Sequence, residues 1–101
     1  MLREFAASEP SPVVLVVEND VLKRLALASD LRMRGLQVFE AADTTEAMVV
    51  LEKIVVDVVL SDRSLLRAAE LEQWIREHQL PARFIWTTRH TFRQTSRQLQ
   101  S

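Results

Sequence analysis

Val13-Val14-Leu15-Val16-Val17, followed at once by Glu18-Asn19-Asp20, is the stretch on which the fold turns. Five consecutive apolar residues, four of them β-branched, suit a strand buried on both faces. Side chains alternate across a sheet, and here both sides are apolar, as in parallel sheets covered by helices above and below. Asn19 or Asp20 then offers a short polar side chain that accepts from the first N–H groups of a helix. Val21 to Arg34 has the helical period. Leu22, Leu25, Ala26, Ala28 and Leu31 are expected to face a core, and Lys23, Arg24, Asp30 and Arg34 to face water. Gly35 falls where a helix ends in a left-handed residue.

The same alternation continues downstream. Leu36-Gln37-Val38-Phe39-Glu40 alternates as a strand does. Asp43 and Glu46 have capping-box spacing, with Asp in place of the usual hydroxyl residue, and open a helix over Thr44 to Lys53. Val55 to Leu60, interrupted by Asp57, is expected as a third strand that ends at Ser61-Asp62. Residues 67–78 place Ala68, Leu71, Trp74 and Ile75 on one side of a third helix, which Pro81 stops. Arg83 to Thr88 is a fourth strand. Residues 1–12 are then an N-terminal tail, 13–90 a domain and 91–101 a C-terminal helix or tail.

Strands alternating with helices predict an α/β protein, a doubly wound parallel sheet with helices on both faces. Ligands on such sheets bind beyond the carboxyl ends of the strands. That singles out Glu18, Asn19, Asp20, Ser61, Asp62, Thr87 and Thr88. Glu18 and Asp62 each end a Val-rich strand, and if those strands are neighbours their carboxylates converge. Carboxylates held close either bind a cation or force one member to keep its proton. Oxygen ligands completed by water suit Mg²⁺. The alternative is that both acids only sit near helix N-termini as caps.

Composition removes other classes. At 101 residues, 48% hydrophobic and 27% charged, the chain suits one soluble domain with a core of its own. The absence of cysteine excludes disulfides, thiolate zinc sites and cysteine nucleophiles. Two histidines, His78 and His90, argue against a histidine cage, and one glycine excludes the Gly-rich phosphate loops. No apolar run is long enough for a membrane span and no secretory signal opens the chain, so a cytoplasmic protein is expected. No serine or histidine forms an evident nucleophile–base pair, so the protein is not expected to be an enzyme. Residues 1–62 carry a net charge of -5 and residues 63–101 a net of +4. The acidic half could attract a cation and the basic half an anion, or both could be solvated faces.

The motifs together resemble the receiver domains of response regulators in two-component phosphorelay signalling. Val14-Leu15-Val16-Val17-Glu18-Asn19-Asp20 is similar to their first strand, usually V-L-V-V-E-D-D. Leu36 to Asp43 is similar to their second strand and the turn after it. Asp57-Val58-Val59-Leu60-Ser61-Asp62 resembles the strand that ends in the phosphoacceptor, and Phe84-Ile85-Trp86-Thr87-Thr88-Arg89-His90 the fourth strand. The resemblance spans about residues 13–90. It implies a flavodoxin-like sheet in the order 2-1-3-4, truncated to about four strands and lacking the fifth strand and helix. It implies Asp62 as the phosphoacceptor, a phosphoprotein in its active state. Glu18, Asn19, Asp62 and Ser64 become the Mg²⁺ positions, with Ser64 offering a backbone carbonyl. Thr88 is the switch hydroxyl, since Arg89-His90 then falls on the family's Gly-His, and Thr87 is the alternative. The implied partner is a histidine kinase or a phosphotransfer protein.

The departures are specific. Asn19 stands where the family has a second acid, which removes a charge and weakens Mg²⁺ binding. The loop after Asp62 reads Arg63-Ser64-Leu65-Leu66-Arg67, without its usual Pro and Gly. Arg63 is expected either in the phosphoryl site as a tethered cation or in solvent. No Lys follows Lys53, so the family's phosphoryl-pairing lysine is missing. A sheet that stops at the fourth strand leaves an open edge, which predicts a homodimer. The reading is therefore a stand-alone, degenerate receiver acting by protein–protein interaction, with no membrane and no nucleic acid. The alternative is a small dimeric adaptor or DNA-associated protein using the basic residues Arg89, Arg93 and Arg97.

Overall fold

The apolar run at Val13–Val17 forms β1, the centre of a parallel sheet. The structure, a computed structural model, describes residues 11–87. Along the chain follow α1 (Val21–Met33), β2 (Gln37–Ala41), α2 (Thr44–Lys53), β3 (Val58–Asp62), α3 (Ala68–Glu77) and β4 (Arg83–Thr87). The four strands lie in the order β2-β1-β3-β4, all parallel, as the alternation of elements requires. This is the flavodoxin-like order expected.

Alternation along β1 divides the core in two. Leu15 and Val17 face one side, where Val59 of β3 joins Ala47 and Leu51 of α2 and Leu71 and Ile75 of α3. Val14 and Val16 face the other, with Val58 and Leu60 of β3 against Ala28 and Leu31 of α1. Burying each such aliphatic side chain is worth about 1.5–3 kcal/mol.

The inward face of α1 differs from the one expected. Ala28 and Leu31 are buried, but Leu22 is 78% exposed, Leu25 is 48% exposed and Ala26 lies on the surface. The helix turns Arg24, Leu27, Ala28 and Leu31 toward the sheet instead, one ordinary helical stripe that includes a cation. Arg24 is tolerated there because Glu40 and a backbone carbonyl receive its guanidinium.

β3 begins at Val58, not Val55. The Asp57 side chain accepts the Val13 N–H at 2.7 Å, and its own N–H donates to the Val13 carbonyl at 2.9 Å, so Asp57 pins the entrance of the strand. β2 is shifted one residue beyond expectation, to Gln37–Ala41. Thr88, Arg89, His90, Arg93 and Arg97 lie outside the described residues, as do residues 1–10 of the expected N-terminal tail and all of the expected C-terminal segment.

Two helices end in the same way. At α1 the Gly35 N–H donates to the Arg32 carbonyl and the Leu36 N–H to the Leu31 carbonyl, with Gly35 at φ +90°. At α3 Gln79 and Leu80 repeat both bonds to Arg76 and Ile75, but the left-handed position is Gln79, at φ 52°. This 6→1 and 5→2 pattern favours glycine, which has no Cβ to crowd the carbonyl. His78 caps α3: its Nδ1 lies 2.9 Å from the Trp74 carbonyl and its ring 4.2 Å from the indole. Gln79→Gly should raise unfolding stability by roughly 0.5–1 kcal/mol, and Gly35→Ala should lower it by about 1 kcal/mol. Urea denaturation of both variants checks this; a stabilising Gly35→Ala would contradict it.

Candidate functional site

The carboxyl ends of β1, β3 and β4 are brought level by register. Val17 of β1 pairs with Ser61 of β3, so Glu18 and Asp62 each lie one residue beyond a shared rung. Asp62 in turn pairs with Thr87 of β4. Paired residues of parallel strands point to the same side of the sheet. Asp62 and Thr87 therefore share a face, and Asp62 continues the line of Val58 and Leu60.

Local hydrogen bonds hold each acid. The Glu18 N–H donates to the Ala41 carbonyl at 3.0 Å, which extends the β1–β2 ladder by one residue. Its Oε2 accepts the Asp20 N–H at 2.9 Å, and its backbone carbonyl accepts Nη1 of Arg24 at 2.9 Å. Nε of Arg24 lies 3.3 Å from Glu40, whose other oxygen receives Arg32 at 3.2 Å. Arg32 also donates to the Val38 carbonyl at 2.8 Å. The β1–α1 turn is thereby tied to the end of β2 by one carboxylate between two guanidinium groups.

Asp20 is the cap of α1, accepting the Lys23 N–H at 3.1 Å. Asn19 is exposed and lines a cleft of about 310 Å³ with Asp43, Thr44, Leu65, Leu66 and Arg67. α2 opens on the expected box. Asp43 accepts the Glu46 N–H at 2.8 Å, and Glu46 returns to the Ala42 N–H at 2.8 Å.

Asp62 is half-buried, and its Oδ1 accepts both the N–H of Ser64 at 2.9 Å and its hydroxyl at 3.0 Å. Among the described residues no donor reaches Oδ2, which leaves that oxygen available. Ser64 thus orients the carboxylate through its side chain and its amide. Sequence reasoning missed this role, although a serine two residues after an aspartate is an ordinary turn signal. Thr44 is buried and donates to the Leu66 carbonyl at 2.9 Å, anchoring the β3–α3 loop to α2.

Arg63 is exposed, the second of its two expected positions, and rests its side chain on an indole. Its guanidinium carbon lies 5.1 Å from the centre of the Trp86 ring, a cation–π contact, and Trp86 packs edge-on against Phe84 with centroids 4.7 Å apart. At a partly exposed site that contact is worth about 0.5–1 kcal/mol. Arg67, in the left-handed region at φ 65°, pairs with Glu70, which holds its guanidinium above its ordinary pKa.

No group of three acidic or histidine side chains suited to a metal converges among the described residues. Glu18 and Asp62, each with one oxygen that no donor reaches among the described residues, do fit Mg²⁺, which keeps several waters and takes few protein ligands.

No protein-family model matches the sequence, and no curated protein is significantly similar to it. Solved structures do share its fold. The receiver domain of the hybrid histidine kinase CckA matches with a TM-score of 0.67 and 23% identity, over 88% of this chain and 99% of that one. The response regulator TrrA from Thermotoga maritima, in complex with Mg²⁺ and BeF, matches with a TM-score of 0.69 and 22% identity, over 87% and 80%. A response regulator receiver protein from Pseudomonas putida matches with a TM-score of 0.67 and 22% identity, over 90% and 81%. With its strand order and the placement of its acids, this chain has the fold of a response-regulator receiver domain.

Proposed function

We propose that the protein is a receiver-like module of two-component signalling in which Asp62 is a weak phosphoacceptor. The observation that carries this is the register at the sheet's carboxyl edge, with Asp62 between Glu18, one residue past β1, and Thr87 on β4. A structural neighbour was solved in complex with Mg²⁺ and BeF, which supports a cation and a phosphoryl mimic as ligands for this fold.

The chemistry follows from the geometry. With Oδ1 occupied by Ser64, Oδ2 of Asp62 is the attacking oxygen. It forms an O–P bond to the phosphoryl group of a phosphohistidine donor as the P–N bond breaks. The departing imidazole keeps that electron pair and takes up a proton. Glu18, Asp62 and the Asn19 amide oxygen would hold Mg²⁺, which when bound offsets the negative charge of the phosphoryl oxygens. Thr87, on the rung with Asp62, supplies the hydroxyl that turns to the acyl phosphate. Positioning and electrostatics account for the step, with no general base required. Asn19 in place of a carboxylate lowers the charge of the site and so its affinity for the ion.

The donor is a histidine kinase or phosphotransfer protein, and the output is a protein–protein interaction. The alternative based on Arg89, Arg93 and Arg97 rests on residues outside those described. Among the described residues β4 pairs only with β3, and this edge supports the homodimer.

Incubation with phosphoramidate and millimolar Mg²⁺ should add one phosphoryl group on Asp62, seen by mass spectrometry and absent from Asp62→Ala. No incorporation, or incorporation that survives Asp62→Ala, would overturn the assignment. Sedimentation equilibrium should give the mass of two chains at high micromolar concentration. A single-chain mass there would remove the dimer.

A further inference from the structure

We propose that Arg63 is a phosphoryl-binding cation held in reserve on Trp86, and that it leaves the indole when Asp62 acquires its phosphoryl group. The inference rests on Asp62 being the phosphoacceptor. It adds a residue to that site and a built-in reporter of its state.

Three observations place Arg63 in this role. It is bonded directly to Asp62, as Trp86 is to Thr87, and Asp62 and Thr87 share a rung. Alternation sets Trp86, like Ser61 on its rung, on the face opposite Asp62 and Thr87, so the Arg63 guanidinium rests across the carboxyl edge of the sheet from the phosphoacceptor to which its own residue is bonded. The other cations near this edge are placed or engaged differently. Arg24 is bound to Glu40 and to the Glu18 carbonyl, Arg67 is paired with Glu70, and Lys23 lies on the exposed side of α1. Among the described residues Arg63 has no carboxylate partner. Finally, Arg63 is exposed and follows the last residue of β3, where no ladder fixes the direction of its side chain.

The exchange is favourable on general grounds. A guanidinium over an indole gains a modest electrostatic attraction. The same guanidinium facing phosphoryl oxygens forms charge-assisted, often bidentate hydrogen bonds, which are considerably stronger. While Asp62 is unmodified, its Oδ1 is occupied by Ser64 and the indole is the better resting place. A phosphoryl group adds negative charge and acceptor oxygens on the residue bonded to Arg63, the long side chain can cross the edge to meet them, and the balance reverses. Trp86 then loses its cation, and the surface around Phe84 and Trp86 on β4 changes with the state of Asp62.

The test uses the full chain with Mg²⁺ and beryllofluoride as the phosphoryl mimic. Fluorine NMR reads adduct formation, and the proton–nitrogen signal of the Trp86 indole, assigned with Trp74→Phe, reads the cation. The expected result is an adduct that moves the Trp86 indole signal in the native chain. In Arg63→Ala the adduct should bind about tenfold more weakly and leave that signal unmoved. Arg63→Lys should keep part of the affinity, because it retains charge without the planar fork. An adduct of equal affinity in native and Arg63→Ala proteins, or one that leaves the native Trp86 signal in place, would overturn the role of Arg63 while Asp62 stands. Absence of any adduct in the native chain would overturn the phosphoacceptor assignment, and the role of Arg63 with it.

Discussion

The register between β1 and β3 is the constraint on which the rest of the structure depends. It is fixed at the entrance by Asp57, whose side chain and backbone both bond Val13. From there the rungs run without interruption to Val17 and Ser61. A slip of one residue would turn Val58 and Leu60 to the opposite core and carry Asp62 with them. The apolar residues on both faces therefore do more than stabilise the sheet. They dictate which side of its edge the acid emerges on, because a one-residue slip would bury the wrong set. Asp57 thus acts on the site from the far end of the strand, with no contact to it.

A second layer of order comes from charge. Glu40 lies between Arg24 and Arg32, and Arg24 reaches on to the carbonyl of Glu18. Exposed ion pairs contribute little, but Arg24 and Glu40 are only 17% and 22% exposed, so solvent screens them less. What this arrangement supplies is position. The turn carrying Glu18 and Asn19 has no hydrophobic anchor of its own, and the guanidinium holds it against the sheet. At the other side of the site the Ser64 clamp does the same for Asp62. Two short polar devices, one on each neighbouring strand, set the two acids at one level.

The strand order was legible from the resemblance to receiver domains, and most element boundaries from strong local signals. These were the Val-rich runs, the Asp43–Glu46 box and Gly35 after an apolar helix. The inward face of α1 was not legible. Its apolar residues form two stripes with two leucines each, Leu22 and Leu25 outward and Leu27 and Leu31 inward. The choice was made by Arg24, whose partner Glu40 lies sixteen residues away in sequence and could not be read from local periodicity. The start of β3 was misplaced for a related reason. Val55 suits a strand by composition, yet the bond between Asp57 and Val13 is a tertiary event. At the candidate site, Glu18, Asp62 and Thr87 were singled out from their positions at strand ends, which the register sets level, while Thr88, the preferred switch hydroxyl, lies outside the described residues. The Ser64 side chain and the rest of Arg63 on Trp86 depended on loop conformation, which single residues after a strand do not reveal.

The most direct measurement is paramagnetic broadening of backbone amide signals by substoichiometric Mn²⁺, a cation that oxygen ligands bind as they do Mg²⁺. Broadening centred on Glu18, Asp62, Ser64 and Thr87 is predicted, since the strand register sets those residues around one point. Broadening centred on Asp57 and Val13 at the opposite edge, or on Asp43 alone, would contradict it.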